Sequence, residues 1–525
     1  MVEVKRLAKG LCAMLGVVVG IVVVLLVVAL VRALTLEDLD YQEGAIDPGE
    51  RDHLPESYLK GLPQLMARAL AIPTVAWGPG EYDAEAMKKF HVFLRESFPH
   101  VFNSSVIEVE VVNEYSLLLS IKGLHDDLVP YMLTGHIDVV PVAKDKWTHD
   151  PWGGHILKDS ATGESYIWGR GALDNKAGVM GIMMALEYLA KTDFQPERSF
   201  YVAFGHDEEV RGLEGAGHIA KVLESRGVQL DFILDEGMPV LKGVVNGVEE
   251  PVALIGVSEK GWVTVELEVE GPGGHSSIPP ANSAVTRLAK AIVALEDNPQ
   301  PSMFGQGPEA DMLAYLAPKA SWPFKMIYSN LWLFGPLVSR IMTAKRETNA
   351  VTRTTTSVTI VRAGVKDNVV PATATAVVNH RVHPAQSIRD VIQHDRKMIA
   401  DPSVKINLLP RSMEAHPVSP YGPEVSPWRL LSAAVRHHYP NAITAPSVLV
   451  ANTDTRHYLQ LTPHVYRFLP AMITGKDVTM IHGHDEKISV TSLFACVGFY
   501  HHLILAADVQ SPPLKTQPGH RGGEL

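Results

Sequence analysis

Between about residues 47 and 256, short apolar runs alternate with amphipathic stretches. Strand candidates begin at Tyr131, Tyr201 and Phe232, and a helix candidate with apolar residues at helical spacing follows Asp174. Alternation of this kind is typical of an α/β domain in which most strands of the sheet are parallel.

The pattern changes between residues 257 and 383. Apolar and polar residues alternate strictly over residues 263–269, which predicts a strand with one face in water. A helix candidate at 285–295 and strand candidates at 354–361 and 373–382 follow. This order of elements predicts a small α+β domain.

Helix and strand candidates alternate again over residues 384–508, and the last helix candidate covers residues 491–507. We therefore expect one α/β domain, built from residues 47–256 and 384–508, which the α+β domain interrupts. The tail at 509–525 is rich in Pro and Gly, and we expect it to be disordered.

Residues 1–36 predict a membrane-targeting segment. Basic residues precede an uncharged apolar run at 10–31, and acidic residues follow it. The run is long enough for a signal anchor, whose basic side stays cytosolic and whose following domain is lumenal or extracellular. A signal peptide cleaved after Ala33 is the alternative. We favour the anchor because the run is longer than an ordinary signal-peptide core.

Composition narrows the choice of function. A chain of 525 residues is long enough for two or more domains, and its net charge of -11 argues against nucleic acid as the main partner. Cys12 and Cys496 are the two cysteines, so a disulfide framework is excluded. The sequon at Asn103 is compatible with an exported glycoprotein.

Polar residues follow the predicted strands, where the reactive groups of open α/β sheets gather. His136 is followed two residues later by Asp138, whose carboxylate can hold the second ring nitrogen of the imidazole. Asp174 follows a Gly-rich turn and precedes a helix. A carboxylate at that position can bridge two cations.

Three acidic residues at 207–209 end the next strand candidate, so one acid can bind metal while another transfers a proton. Asp235 and Glu236 end the strand after that, and His482 lies far downstream. Carboxylates gathered at neighbouring strand ends would repel one another unless cations neutralise them. Nitrogen and oxygen ligands without cysteine suit zinc, with manganese or cobalt as alternatives.

The order and spacing of these motifs resemble the co-catalytic zinc family that includes aminoacylase, carnosinase and bacterial glutamate carboxypeptidase. The likeness covers nearly all of the chain after the targeting segment, and it implies two zinc ions. The ligands that it implies are His136 and Asp235 for one zinc, Glu209 and His482 for the other, and Asp174 as the bridge. Glu236 and His484, which neighbour these ligands, rank second.

The resemblance also implies a cis peptide bond between Asp174 and Asn175, where Asn175 replaces an acid that is common in the family. It makes Glu208 the base, which takes a proton from the metal-bridging water and delivers it to the leaving amine. Asp138 would orient His136.

By the same resemblance, the inserted α+β domain corresponds to a ferredoxin-like lid and dimerisation domain. His275 in that domain would stabilise the oxyanion, often from the partner subunit, which implies a homodimer. Asn368 and Arg456 match positions expected to hold the free carboxylate of a small-molecule substrate.

Five further stretches resemble the branch of this family that hydrolyses and forms N-fatty-acyl amino acids; they are residues 328–334, 353–356, 363–366, 452–454 and 486–490. The apolar segment 322–341 either lines an acyl groove or is ordinary core or dimer contact. A zinc carboxypeptidase or dipeptidase is the nearest alternative function. A non-catalytic, membrane-anchored binding protein is a remote one, because every expected ligand and the base are present.

Overall fold

The computed structural model describes residues 2–38, 49, 52–160, 162–475 and 477–510. In chain order, the helices are α1 Val2–Leu34, α2 Glu56–Leu59, α3 Leu62–Leu70, α4 Ala84–Ser97, α5 Pro99–Phe102, α6 Lys176–Lys191, α7 Ala216–Ser225, α8 Ala284–Asp297, α9 Pro308–Leu316, α10 Phe324–Tyr328, α11 Leu331–Thr343, α12 Arg346–Thr352, α13 Ile388–Ile399, α14 Ser426–His438 and α15 Val490–Val509. The strands are β1 Ala76–Gly78, β2 Glu81–Tyr82, β3 Ile107–Val112, β4 Ser116–Ile121, β5 Tyr131–His136, β6 His155–Lys158, β7 Ser165–Trp168, β8 Phe200–Gly205, β9 Ile233–Lys242, β10 Val252–Glu259, β11 Gly261–Glu270, β12 Gly274–His275, β13 Thr355–Ala363, β14 Val369–Val370, β15 Thr373–Val382, β16 Val404–Leu408, β17 Ile443–Leu449, β18 Val465–Thr474 and β19 Lys487–Ser489. The predicted tail beyond residue 510 lies outside the described residues.

The larger domain is built on an eight-stranded sheet of order β17-β10-β18-β9-β5-β8-β4-β3. Strands β18, β9, β5 and β8 are parallel, whereas β4 and β3 continue the sheet in antiparallel fashion. Alternate residues of a strand face opposite sides, so Leu133 joins the core under α6 and α15 while Met132 joins the core under α7. The sheet is therefore mixed and mainly parallel at its centre, as the sequence predicts.

The smaller domain has a four-stranded antiparallel sheet of order β13-β15-β11-β16, covered by α8 and α13. Alternate residues of β11, from Val263 to Val269, are fully buried against these helices, and the intervening residues are partly exposed. The chain order strand, helix, strand, strand, helix, strand with this sheet order is the ferredoxin-like arrangement.

The boundaries of the small domain differ from the predicted range 257–383 in two ways. Helix α13 and strand β16 follow residue 383 but belong to the small domain, because β16 pairs with β11. Residues of α9, α10 and α11, including Leu316 and Val338, pack into the core of the large domain. Pairing and packing between distant residues decide both differences, and a local hydrophobic pattern does not contain that information.

Helix α1 projects from the body of the protein. Its residues Cys12–Leu34 are long and apolar enough to cross a membrane, and few of them are buried. Ala29 and Ala33 are fully buried against the body, where the Asn330 side-chain amide donates a hydrogen bond of 2.9 Å to the carbonyl of Ala29. Helix α15 has a similar length and hydropathy, but it is mostly buried as a core helix.

Candidate di-metal active site

The candidate site lies at one edge of the large sheet, where the parallel strands β5, β8 and β9 end or bend. His136 is the last residue of β5, and the acidic residues 207–209 begin two residues after the end of β8. Asp174 lies in the turn that precedes α6, and His482 lies before β19. The carboxyl edge of the sheet therefore brings together side chains that are far apart in sequence.

Asp174 lies between two imidazoles. Its Oδ1 is 3.1 Å from His136 Nε2, and its Oδ2 is 3.0 Å from His482 Nε2. The peptide bond between Asp174 and Asn175 is cis, as predicted. Because each oxygen of the carboxylate faces a different histidine, Asp174 has the position of a ligand that is shared by two cations.

Glu209 completes the group around His482. Its Oε2 lies 3.0 Å from His482 Nε2, and its buried Oε1 has no hydrogen-bond partner in the described part of the chain. The His482 side chain is 52% exposed, so this half of the site opens to solvent. His484 is exposed and lies outside the groups of potential ligands found among the described residues.

The structure favours Glu236 over Asp235 as the carboxylate beside His136. Strand β9 pairs with β18 as far as Asp235, and the register is interrupted before the pairing resumes at Met238. Such a bulge re-aims the side chains within it. Glu236 Oε1 lies 3.2 Å from His136 Nε2, whereas Asp235 Oδ1 accepts the backbone N–H of Glu236 at 2.8 Å. The sequence-based choice of Asp235 therefore does not match the geometry.

Electrostatics support cation binding at these carboxylates. Burial raises the pKa of Glu236 to about 8, that of Glu209 to about 7, and that of Glu208 well above its usual range. Burial would also raise the pKa of Asp174, but hydrogen bonds from His136 and His482 outweigh it and lower that pKa. Cations would favour the ionised form of all these acids, and a donor set of imidazole and carboxylate fits zinc.

Asp138 orients both His136 and the turn that carries the acids. Its Oδ1 lies 3.2 Å from His136 Nδ1, so the opposite ring nitrogen faces the cluster. Its two carboxylate oxygens also accept the backbone N–H groups of Glu208 and Glu209, each at 3.1 Å. One buried carboxylate thus holds a proposed ligand and the proposed base in a fixed relation.

Arg456 contacts the proposed base directly. Its Nη2 donates a hydrogen bond of 2.6 Å to Glu208 Oε1, and its Nε donates to the carbonyl of Thr453 at 2.8 Å. Arg381, which sequence reasoning missed, is a second partly buried guanidinium nearby. Burial and the charge of Arg456 lower the pKa of Arg381. Its polar position in the alternating pattern of β15 is the sequence signal that marks it.

Glu486 is a second residue whose role sequence reasoning missed. This fully buried carboxylate accepts a hydrogen bond of 2.6 Å from Arg170 and further bonds from the backbone N–H groups of Gly171, Leu173 and Asp174. The turn that carries Asp174 is therefore tied to the segment that carries His482.

His275 and Asn368 lie together on the small domain. The backbone N–H of Ser276 donates to the carbonyl of Asn368 at 3.1 Å, next to the pairing of β12 with β14. Both side chains are exposed, whereas His136 is buried. Among the described residues, no hydrogen bond or ion pair joins either side chain to His136 or its partners.

Comparison with known proteins gives consistent matches along the chain. A sequence profile of the peptidase family M20/M25/M40 matches residues 132–506. N-fatty-acyl-amino acid synthase/hydrolase PM20D1 of Xenopus tropicalis is 43% identical over 460 residues, which are 88% of each protein. A Dictyostelium discoideum protein named probable carboxypeptidase S-like 2 is 39% identical over 450 residues, which are 84% of each protein.

Solved structures share the fold at low sequence identity. The dipeptidase Dug1p of Saccharomyces cerevisiae superposes with a TM-score of 0.58 at 15% identity, over 89% of this chain and all (100%) of that protein. The YXEP protein of Bacillus subtilis, described as a dinuclear metal binding peptidase, gives a TM-score of 0.52 at 13% identity, over 86% and 99% of the two chains.

Proposed function

The chain belongs to the peptidase family M20/M25/M40, and we propose that it is a di-zinc amidohydrolase that hydrolyses and reversibly forms N-fatty-acyl amino acids. The observation that carries this proposal is the position of Asp174, whose two oxygens face two histidines on opposite sides. Relatives that share 41% to 43% of their residues over most of the chain and are named N-fatty-acyl-amino acid synthase/hydrolases support the substrate class.

We assign one zinc to His136 and Glu236 and the other to His482 and Glu209, with Asp174 shared between them. When bound, the two cations would polarise the amide carbonyl and raise the acidity of the attacking water. The ligand set uses nitrogen and oxygen donors only, in agreement with zinc chemistry. In this assignment Asp235 is not a ligand; its carboxylate accepts the backbone N–H of Glu236 within the bulge of β9.

Glu208 is the proton carrier of the proposed reaction. In hydrolysis it accepts a proton from water as the C–O bond forms, and it gives that proton to the nitrogen as the C–N bond breaks. Burial raises the pKa of Glu208, and the guanidinium of Arg456 opposes this rise. In synthesis the same transfers run backwards, so Glu208 takes the proton from the attacking amine.

Substrate recognition involves the small domain. We infer that Asn368, with Arg456 and Arg381, recognises the free carboxylate of the amino acid, since guanidinium groups bind carboxylates in a fork geometry. His275 would stabilise the oxyanion after closure of the small domain or from the second subunit of a homodimer. The exposure of His275 and Asn368 is consistent with either route.

We infer that the enzyme works in the secretory pathway, with α1 as a signal anchor and the catalytic domain in the lumen or outside the cell. The exposed apolar surface of α1 supports the anchor. A signal peptide cleaved after Ala33 would leave a secreted enzyme instead. The exposed sequon at Asn103 is available for glycosylation in either case.

A zinc carboxypeptidase or dipeptidase is the second candidate, which the name of the Dictyostelium relative favours. To separate the two, the purified zinc protein is given N-oleoyl-phenylalanine or a panel of dipeptides, and oleate plus phenylalanine for the reverse reaction. Mass spectrometry should detect cleavage and synthesis of the N-acyl amino acid. Rapid cleavage of dipeptides with N-oleoyl-phenylalanine left intact would overturn the lipid assignment.

A further inference from the structure

A cavity of about 620 Å³ lies between α1 and the helices α9, α10 and α11. Its volume is within the range of roughly 300–1,000 Å³ that is typical of small-molecule sites. Most of the wall is apolar, and a single arginine of α1 lines it at one side. The main lining residues are Arg32, Phe304, Tyr328, Leu331, Trp332 and Gly335.

The cavity lies where the proposed membrane helix meets the body of the protein. Asn330 precedes α11 and donates its amide hydrogen bond to the carbonyl of Ala29. Ala29 is within the apolar run Cys12–Leu34, close to its end. If α1 spans a bilayer, the start of α11 therefore lies at the level of the membrane surface on the side of the catalytic domain.

Large apolar side chains are exposed on the surface formed by residues 322–341. Trp322 and Trp332 are each 51% exposed, and Leu337 and Ile341 of α11 are each 53% exposed. Tryptophan is enriched at membrane–water interfaces, where its ring contacts hydrocarbon and its N–H remains polar. A lipid surface beside α1 would cover these side chains.

The positive charge of Arg32 suits the carboxylate end of a fatty acid. Arg32 is exposed at the end of the apolar run and lines the cavity, so its guanidinium can pair with a carboxylate at the bilayer surface. The carboxylate of Asp311, also in the wall, accepts a hydrogen bond from the hydroxyl of Tyr421. The remaining wall offers mainly apolar contacts to a hydrocarbon chain.

We propose that this cavity binds the hydrocarbon chain of a long-chain fatty acid that enters from the bilayer, with its carboxylate on Arg32. The proposal rests on the proposed lipid substrate and on α1 as an anchor. It gives the segment 322–341 a specific role as a wall of a lipid site beside the membrane.

The test uses the full chain in phosphatidylcholine nanodiscs with an oleic acid analogue that carries a photoreactive diazirine in its chain. Peptides that line the cavity should be labelled, as read by mass spectrometry. A Cβ at Gly335 would meet nothing within 4 Å, so Gly335→Phe fills open space. Labelling should fall by roughly tenfold because the ring occupies the volume of the chain.

Ala314→Phe, on α9, fills the same cavity and avoids the proline that follows Gly335. Val92→Phe, at an exposed position of α4 that does not line the cavity, is the matched control and should keep wild-type labelling. Arg32→Gln should weaken labelling by the fatty acid but not by the corresponding alcohol. Unchanged labelling in both filling variants, or labelling mainly elsewhere, would overturn the proposal.

Activity separates this proposal from the proposed function. If the wild-type chain is labelled in the cavity but neither cleaves nor forms N-oleoyl-phenylalanine, the function fails and the cavity site stands. If it cleaves N-oleoyl-phenylalanine and the cavity is not labelled, the cavity site fails and the function stands.

Discussion

Replacement of Glu486 tests how the carboxylate of Asp174, the proposed bridge between the cations, is held in position. The side chain of Glu486 is fully buried and accepts hydrogen bonds from Arg170 and from backbone N–H groups of the turn before Asp174. Glu486→Gln keeps the shape but removes the charge and turns an amide N–H₂ toward donors. Arg170 is then buried without its carboxylate partner.

The expected cost follows from that geometry. Removing one partner of a buried ion pair typically destabilises a protein by about 3–5 kcal/mol. Burial raises the pKa of Glu486 although Arg170 opposes this rise, so the pair itself contributes little net stability. The loss therefore comes mainly from the uncompensated guanidinium. Arg170→Met combined with Glu486→Gln, which removes that charge and keeps an acceptor for the backbone N–H groups, should be less destabilising than Glu486→Gln alone.

Thermal unfolding in excess zinc and metal analysis after dialysis provide the readouts. We expect the unfolding temperature of Glu486→Gln to fall by roughly 3–5 °C, because the entropy of unfolding of a chain of this length is about 1 kcal/mol per kelvin. We also expect its zinc affinity to fall by about 10–100-fold, because the turn that aims Asp174 is no longer tied. Glu56→Gln, which removes an exposed ion pair with Lys60, is the control and should change stability by less than about 1 kcal/mol. Wild-type unfolding temperature and zinc content in Glu486→Gln would refute the positioning role.

Three further predictions concern the site and its support. Glu208→Gln should lower kcat by roughly 10²–10⁴-fold while both zinc ions remain, and retained turnover would exclude the base role. Glu236→Gln should lose zinc on dialysis while Asp235→Asn keeps it; the opposite result in metal analysis would restore Asp235 as the ligand. Burial would raise the pKa of Glu259, but Arg467 and other partners lower this pKa from 4.5 to about 2. The ionised Glu259 therefore stabilises the fold above pH 4.5, and this stabilisation is lost as the pH falls toward 2. In acid denaturation, the difference in unfolding free energy between wild type and Glu259→Gln should therefore become smaller as the pH falls from 4.5 toward 2. A difference that stays constant over this pH range would contradict the prediction.

Much of the fold was predictable because its elements have strong local patterns. The alternation in β11 and the helical spacing in α6 each appear in a single stretch of sequence. The placement of polar residues after apolar strands located His136, Asp174 and Glu209, because the carboxyl ends of parallel strands share one edge of the sheet. The sequence by itself therefore determined the type of site and the side chains that lie near it.

The tertiary structure decided the features that depend on contacts between distant segments. A bulge in β9, set by the register against β18, turns Glu236 rather than Asp235 toward His136. The pairing of β16 with β11 extends the small domain beyond its predicted boundary. The bond from Arg456 to Glu208 joins residues 248 positions apart. Sequence periodicity reports which face of an element is buried, whereas register and long-range pairing arise only when the elements pack together.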